Sequence, residues 1–137
     1  MQHHHLLVIL RGAPGAGKTT FAMSMMAAFG AKAAAISADD WFALRNGGVF
    51  DPSKLKDAHD WCRQETFALL EAGHTVFLHN TSTTEWEVAP YIDFCQWKGI
   101  KFASLIVENR HEGKNVHGVP EHKVGLMRQR LRANMKL

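Results

Sequence analysis

Eight consecutive residues near the start of this 137-residue chain carry its clearest chemistry. Gly12-Ala13-Pro14-Gly15-Ala16-Gly17-Lys18-Thr19 satisfy the pattern G-x-x-x-x-G-K-[ST], and Thr20 follows. Glycines at these places let the backbone curl so that successive N–H groups face an anion, and the helix that such a loop opens adds a favourable dipole. At this spacing Lys18 can reach the β- and γ-phosphates of a nucleoside triphosphate, while the hydroxyl of Thr19 can ligate magnesium. A second chemical group is the carboxylate pair Asp39-Asp40, set in Ser37-Ala38-Asp39-Asp40-Trp41. Adjacent acids beside a phosphate loop suit a base that takes the proton of a substrate hydroxyl. They suit helix capping equally well, with Ser37 or Asp39 capping the turn that leads into Trp41 and Phe42. Two acids are available, so both roles can be filled at once.

The elements that must hold these groups alternate short apolar strands with longer helical stretches, the signature of a parallel sheet covered by helices. Leu6–Leu10 is apolar throughout, as a strand buried on both faces should be. Gly17 to Phe29 reads as a helix closed by Gly30, and Ala33–Ser37 as a second strand. Asp51 and Pro52 start the next helix as N-cap and first helical residue. Leu55, Ala58, His59, Cys62, Thr66, Leu69 and Leu70 then recur at helical spacing up to Gly73, which places His59 on the apolar stripe. Thr75–His79 is the third strand, and Thr84-Glu85-Trp86-Glu87 has the form of a capping box opening a helix to about Lys98. Lys101–Val107 is the fourth strand, and Pro120 to Met135 a last amphipathic helix. The expected fold is a single α/β domain over residues 1–137, a three-layer sandwich with a short parallel sheet of about four strands. Right-handed crossovers put every strand's C-terminal end on one edge. Residues 12–19, 37–40, 79–84 and 108–118 should therefore build the site.

Composition excludes several classes. An apolar share of 46% and a charged share of 21% are those of an ordinary globular domain. No apolar run is long enough to cross a bilayer and no signal peptide is visible, so a cytoplasmic protein without a membrane partner is expected. Cys62 and Cys95 stand in neither a metal-ligand nor a redox spacing and are read as reduced core residues. His3, His4 and His5 are set aside from the functional reading. The net charge of +3 permits a phosphorylated partner.

Several blocks in one order point to a known family: GAPGAGKTT, ISADDWF, FDPSKLKDAH (50–59), NTSTTEWEVAPY (80–91) and KNVHGVP (114–120). Together they resemble the polynucleotide-kinase-like P-loop proteins, a group that includes small P-loop domains of the AAA type and the 5′-kinase module of phage polynucleotide kinase. The resemblance covers Leu6 to about Arg130 and implies a nucleotide-kinase-like P-loop NTPase fold. It further implies ATP and Mg2+ as cofactors and transfer of the γ-phosphate to a hydroxyl, typically the 5′-OH of a nucleic acid. Asp39 would be the general base, with Lys18 and Thr19 in their usual roles. A lid over residues 108–118 would bring the basic residues Arg110 and Lys114 to the phosphates. Apart from the resemblance, the places of Asp40, Trp41, Arg45 and Asn80 after the second and third strands make them the candidates to face the acceptor.

This chain departs from the family pattern twice. His79 stands where the family has the Asp of an Asp-Asn-Thr run, and Lys114 replaces the lid arginine, keeping the charge but losing the bidentate fork. Weaker activity, altered metal use or loss of catalysis would each be consistent with these changes. Two other functions are carried beside the first: a kinase for a nucleoside or other small metabolite, because 137 residues leave little area for gripping a strand, and a nucleotide-binding module without transfer, on the ground of His79. Trp41 and Trp86 are candidates for stacking a base, or else packing residues at helix starts. Arg45 would share a face with Trp41 if that turn is helical, and could grip a phosphate or stay solvated. Arg128, Arg130 and Arg132 would form either a solvated, dipole-complementing face or a nucleic-acid patch.

Overall fold

A computed structural model describes residues 5–82, 84–108 and 119–134. Four parallel strands form one sheet in the order β2-β3-β1-β4. They are β1 (Leu6–Arg11), β2 (Ala33–Ile36), β3 (Thr75–Leu78) and β4 (Lys101–Ile106). Five α-helices connect and follow them: α1 (Lys18–Phe29), α2 (Asp39–Arg45), α3 (Leu55–Glu71), α4 (Glu85–Lys98) and α5 (Glu121–Ala133).

The period of two along β1 divides the core into layers. Leu7 and Ile9 join Val76, Leu78 and Ile36 against α3 and α4, where Ala58, Cys62, Leu70, Val88, Ile92 and Cys95 are buried. Val8 and Leu10, with Phe77, face the other way onto Ala22, Met25 and Met26 of α1. A strand sandwiched in this fashion has no polar face to show, which is why LLVIL reads as an unbroken apolar run. Cys62 and Cys95 are free thiols in this core. Burial raises both, Cys95 to about 11, so neither is poised to react.

Local differences from the sequence reading have physical causes. Residues 39–45 form a full short helix, α2, with both aspartates in its first turn, where their charge suits the dipole. Asp51 caps as expected, accepting from the Ser53 N–H at 3.0 Å, but it opens a 3-10 turn at Pro52–Lys54 before α3 begins. His59 is exposed: the buried row of α3 advances in fours through Ala58, Cys62, Thr66 and Leu70, and His59 lies one residue past it. Thr84 stands at the N-cap of α4 without a side-chain cap bond. The Glu85 N–H instead meets Oδ1 of Asn134, which follows α5, at 3.4 Å. Arg128, Arg130 and Arg132 on α5 are all exposed. Among the described residues no helix is long and apolar enough to cross a membrane.

Candidate functional site

The strand order decides which loops meet. Because β3 lies between β2 and β1, the segment after it touches both the acidic loop and the glycine-rich loop. The seam is tied by main-chain hydrogen bonds: Gly12 N–H to Thr81 O at 3.1 Å, His79 N–H to Ile36 O at 3.0 Å, and Val107 N–H to Arg11 O at 2.7 Å.

Gly12 leaves β1 so close to β4 that a Cβ there would stand 2.6 Å from the carbonyl oxygen of Val107. That neighbour is backbone and cannot step aside. Gly12→Ala is therefore expected to lower stability by about 1–3 kcal/mol, the usual cost of forcing atoms into a packed place. Chemical denaturation of both proteins checks it, and an unchanged midpoint would show that the strands can part there. Gly17, at the N-cap of α1, has φ 97°, a left-handed conformation that only glycine adopts without strain. From this turn α1 sets out with the free N–H groups of its first turn facing the loop. No acidic residue in that turn competes for them.

Lys18 lies over this loop rather than in solvent. Its ammonium donates to the carbonyls of Gly12 at 2.7 Å and Ala13 at 3.1 Å, and the side chain is 8% exposed. Burial holds its pKa down to about 8, and the nearby carboxylate of Asp39 opposes that fall. A buried cation whose partners among the described residues are neutral carbonyls, beneath a helix N-terminus, is arranged to receive an anion. Thr19 is exposed in the first turn of α1, and its Oγ1 lies 3.3 Å from Nδ1 of His79.

The two aspartates take different positions. Asp40 Oδ2 reaches back to accept from the Ser37 N–H at 3.0 Å, while Ala38 stands at the N-cap without a side-chain cap bond, so neither Ser37 nor Asp39 caps the helix. Asp39 is left exposed, close enough to act electrostatically on Lys18. Beneath them Asn80 is buried, accepting from the Ala38 N–H at 2.7 Å and donating to Cys62 Sγ at 3.6 Å. Asn80 was expected to face the acceptor. Its amide is instead engaged inside, where it fixes the start of α2 and hence the position of Asp39. Tyr91 donates to the same sulfur at 3.7 Å. Trp41 is half-buried, edge-on to Phe42 with ring centroids 5.1 Å apart, and Arg45 is exposed one turn further along α2. Trp86 is 74% exposed. Arg110 and Lys114, expected as cations of a lid, lie outside the described residues.

Arg11 is the site-bordering residue that the sequence reading passed over. It ends β1 fully buried, its Nε donating to Ser82 O and its terminal nitrogen to Asn134 O, each at 2.9 Å. Burial lowers its pKa, while Glu85 and Glu87 work against that. Through these bonds the guanidinium links the root of the phosphate loop to the segment after β3 and to the end of α5. The available signal was a single charged residue closing an otherwise apolar strand.

Comparison with known proteins agrees with this geometry. A family model described as an AAA domain matches residues 7–133. Human NEDD4-binding protein 2 is 28% identical over 132 residues, an alignment covering 89% of this chain and 7% of that protein. A chain of the Pnkp1/Rnl/Hen1 RNA repair complex superposes with a TM-score of 0.76 at 17% identity, covering 99% of this chain and 47% of that one. The Mycobacterium tuberculosis APS kinase CysC, solved with AMPPNP and APS, gives 0.62 at 17% identity, covering 91% and 69%. The chain thus spans a small part of the human relative and about half of the RNA-repair chain. The structural likenesses establish a kinase-like P-loop α/β fold. With its match running from residue 7 to residue 133, the chain belongs to the AAA-domain family of P-loop proteins.

Proposed function

We propose that this domain is an ATP-dependent phosphotransferase that moves the γ-phosphate to a hydroxyl acceptor, with the 5′-OH of a nucleic acid as the preferred one. The observation that carries this reading is the division of labour between the two aspartates. Asp40 is held by the Ser37 N–H, while Asp39 stays exposed and near enough to act electrostatically on Lys18. A kinase needs a carboxylate free to take the proton of its acceptor hydroxyl, and Asp39 is placed to be that group. The likeness to an RNA repair complex and to an APS kinase supports transfer to a hydroxyl, and the former supports the nucleic-acid end.

In this mechanism the glycine-rich loop and the first turn of α1 hold the phosphates with backbone N–H groups. Lys18 exchanges its two carbonyl partners for phosphate oxygens. Asp39 takes the proton of the acceptor hydroxyl as that oxygen bonds to the γ-phosphorus. The bond to the β,γ-bridging oxygen breaks, and ADP leaves with its electron pair. The donors present fit a divalent ion carried by the nucleotide. Thr19 would offer it one hydroxyl, and among the described residues no group of three or more His, Cys, Asp or Glu forms a metal site of its own, so most of the shell would come from phosphates and water. When bound, the ion neutralises charge developing on the phosphates.

Incubation with γ-labelled ATP and a panel of 5′-OH oligonucleotides, nucleosides and sugars tests the reading. Label on an oligonucleotide end is expected. Label on a small molecule alone would replace the acceptor class, and nucleotide binding without transfer would favour a binding module, the reading that His79 in place of an aspartate supports.

Lys18 adds a pH signature. For a cation, a depressed pKa means that protonation costs the nucleotide-free fold, a cost present below about pH 8 and relieved as pH rises from there towards 10.5. A triphosphate against the ammonium raises the pKa again. Nucleotide binding at about pH 8.5 should therefore take up a proton, and binding at about pH 6.5 should not. Calorimetry in buffers of different ionisation enthalpy reads the uptake directly. Equal, zero uptake at both values would remove Lys18 from the phosphate contact.

A further inference from the structure

The geometry points to His79 as a direct ligand of the nucleotide-borne metal ion, which tunes this site away from Mg2+ towards transition ions such as Mn2+, Co2+ and Ni2+. The inference rests on the triphosphate reading of the loop but not on the acceptor or on transfer. His79 follows the last residue of β3, the strand beside β1, and its Nδ1 faces Thr19 Oγ1 across 3.3 Å. Thr19 is the hydroxyl that the loop pattern offers to the ion. Two ligands adjacent in an octahedral shell, each about 2.1 Å from the metal, stand about 3.0 Å apart. The observed separation is a few tenths of an ångström longer, within the reach of a small side-chain rotation. The two atoms, now within hydrogen-bond distance of each other, thus stand close to the spacing of neighbouring ligands of one ion.

The chemistry of the donor then sets the preference. An aspartate at this strand end would present hard, charged oxygens of the kind Mg2+ selects. Imidazole nitrogen is a softer, neutral donor, and affinity for it rises from Mn2+ through Co2+ to Ni2+. Among the described residues no group of three or more His, Cys, Asp or Glu could hold the ion by itself, so most of the remaining shell would be phosphate oxygen and water. With so few protein donors, one nitrogen among them carries weight. The same substitution that weakens the case for an ordinary Mg2+ site thereby argues for a different ion rather than for none.

The test uses the intact chain with a β,γ-methylene analogue of ATP, which brings no nitrogen into the phosphate chain and needs no turnover. Pulsed electron paramagnetic resonance of the Mn2+ complex should show modulation from one directly bound 14N nucleus. That signal should vanish in His79→Asp and in His79→Gln. In parallel, calorimetric titration should give a preference for Co2+-loaded over Mg2+-loaded analogue that is at least about tenfold greater in the native chain than in His79→Asp. A native complex lacking the 14N signal, or a Co2+/Mg2+ preference identical in all three proteins, would overturn the assignment. Failure of the analogue to bind with any ion would instead refute the triphosphate reading itself. Circular dichroism confirms that the variants fold, and His79→Gln keeps a neutral side chain of similar reach should the aspartate disturb the strand end.

Discussion

Replacing Lys18 by alanine is expected to lower affinity for ATP by about 10–100-fold, the worth of a hydrogen bond from a charged donor, and to slow any transfer by a further 10²–10³-fold or so, the usual loss when a preorganised charge is removed. The ammonium is buried, and its partners in the nucleotide-free protein are the carbonyls of Gly12 and Ala13. Those bonds hold it in place without neutralising it, so its charge is fully available to a phosphate. Alanine also leaves the two carbonyls directed at the nucleotide, adding repulsion to the lost attraction. The fold should tolerate the change or gain slightly below about pH 8, since a buried cation with a depressed pKa is removed. That sign separates the functional prediction from a merely structural one. Titration of labelled ATP analogue and thermal denaturation at pH 7 check the two halves. Native-like binding would mean that the backbone N–H groups and the helix N-terminus suffice for this loop.

The same contact shows how much could be read from residue order. The loop pattern placed Lys18 and Thr19 because it is local: eight consecutive residues specify the turn, the glycine conformations and the helix start. Strand positions were legible for a similar reason. β1 is apolar throughout because helices cover both its faces, and Gly30, Gly73 and Gly99 mark the places where α1, α3 and α4 stop. The helix α2 was open because seven residues are too few to show a period. What the sequence cannot carry is neighbourhood. Nothing in the alternation of strands and helices says that β3 lies between β2 and β1, yet that order brings His79 to Thr19 and Asn80 to Ala38. Asn80 looked like an acceptor contact because it follows a strand end. Its partners, Ala38 and Cys62, become visible only when three elements meet. Arg11 and Thr84 were obscured likewise, since the main chain and side chain of Asn134, far along the sequence, answer the first through its carbonyl and the start of α4 through its amide.

Asp39→Asn is expected to reduce phosphoryl transfer by about 10²–10⁴-fold, the contribution of a positioned general base, while leaving ATP affinity within a few-fold of native. Asparagine keeps the size and can remain in the first turn of α2, but it cannot take a proton from the acceptor. Nucleotide binding should hold or improve slightly, because a negative charge that acts on the Lys18 region has gone. The neighbouring acid supplies the control. Asp40 accepts from the Ser37 N–H just before α2, so Asp40→Asn should cost stability by weakening that charge-assisted bond and affect rate only as far as Asp39 is displaced. The two variants thus predict opposite patterns: a fast loss of rate with an intact fold at position 39, and a loss of stability with residual rate at position 40. Single-turnover transfer to a 5′-OH oligonucleotide, measured beside urea denaturation, distinguishes them. Normal turnover by Asp39→Asn with inactivity of a folded Asp40→Asn would reverse the assignment. That outcome would require the Ser37 contact to open when the acceptor binds, making α2 a moving part of the site rather than its fixed wall.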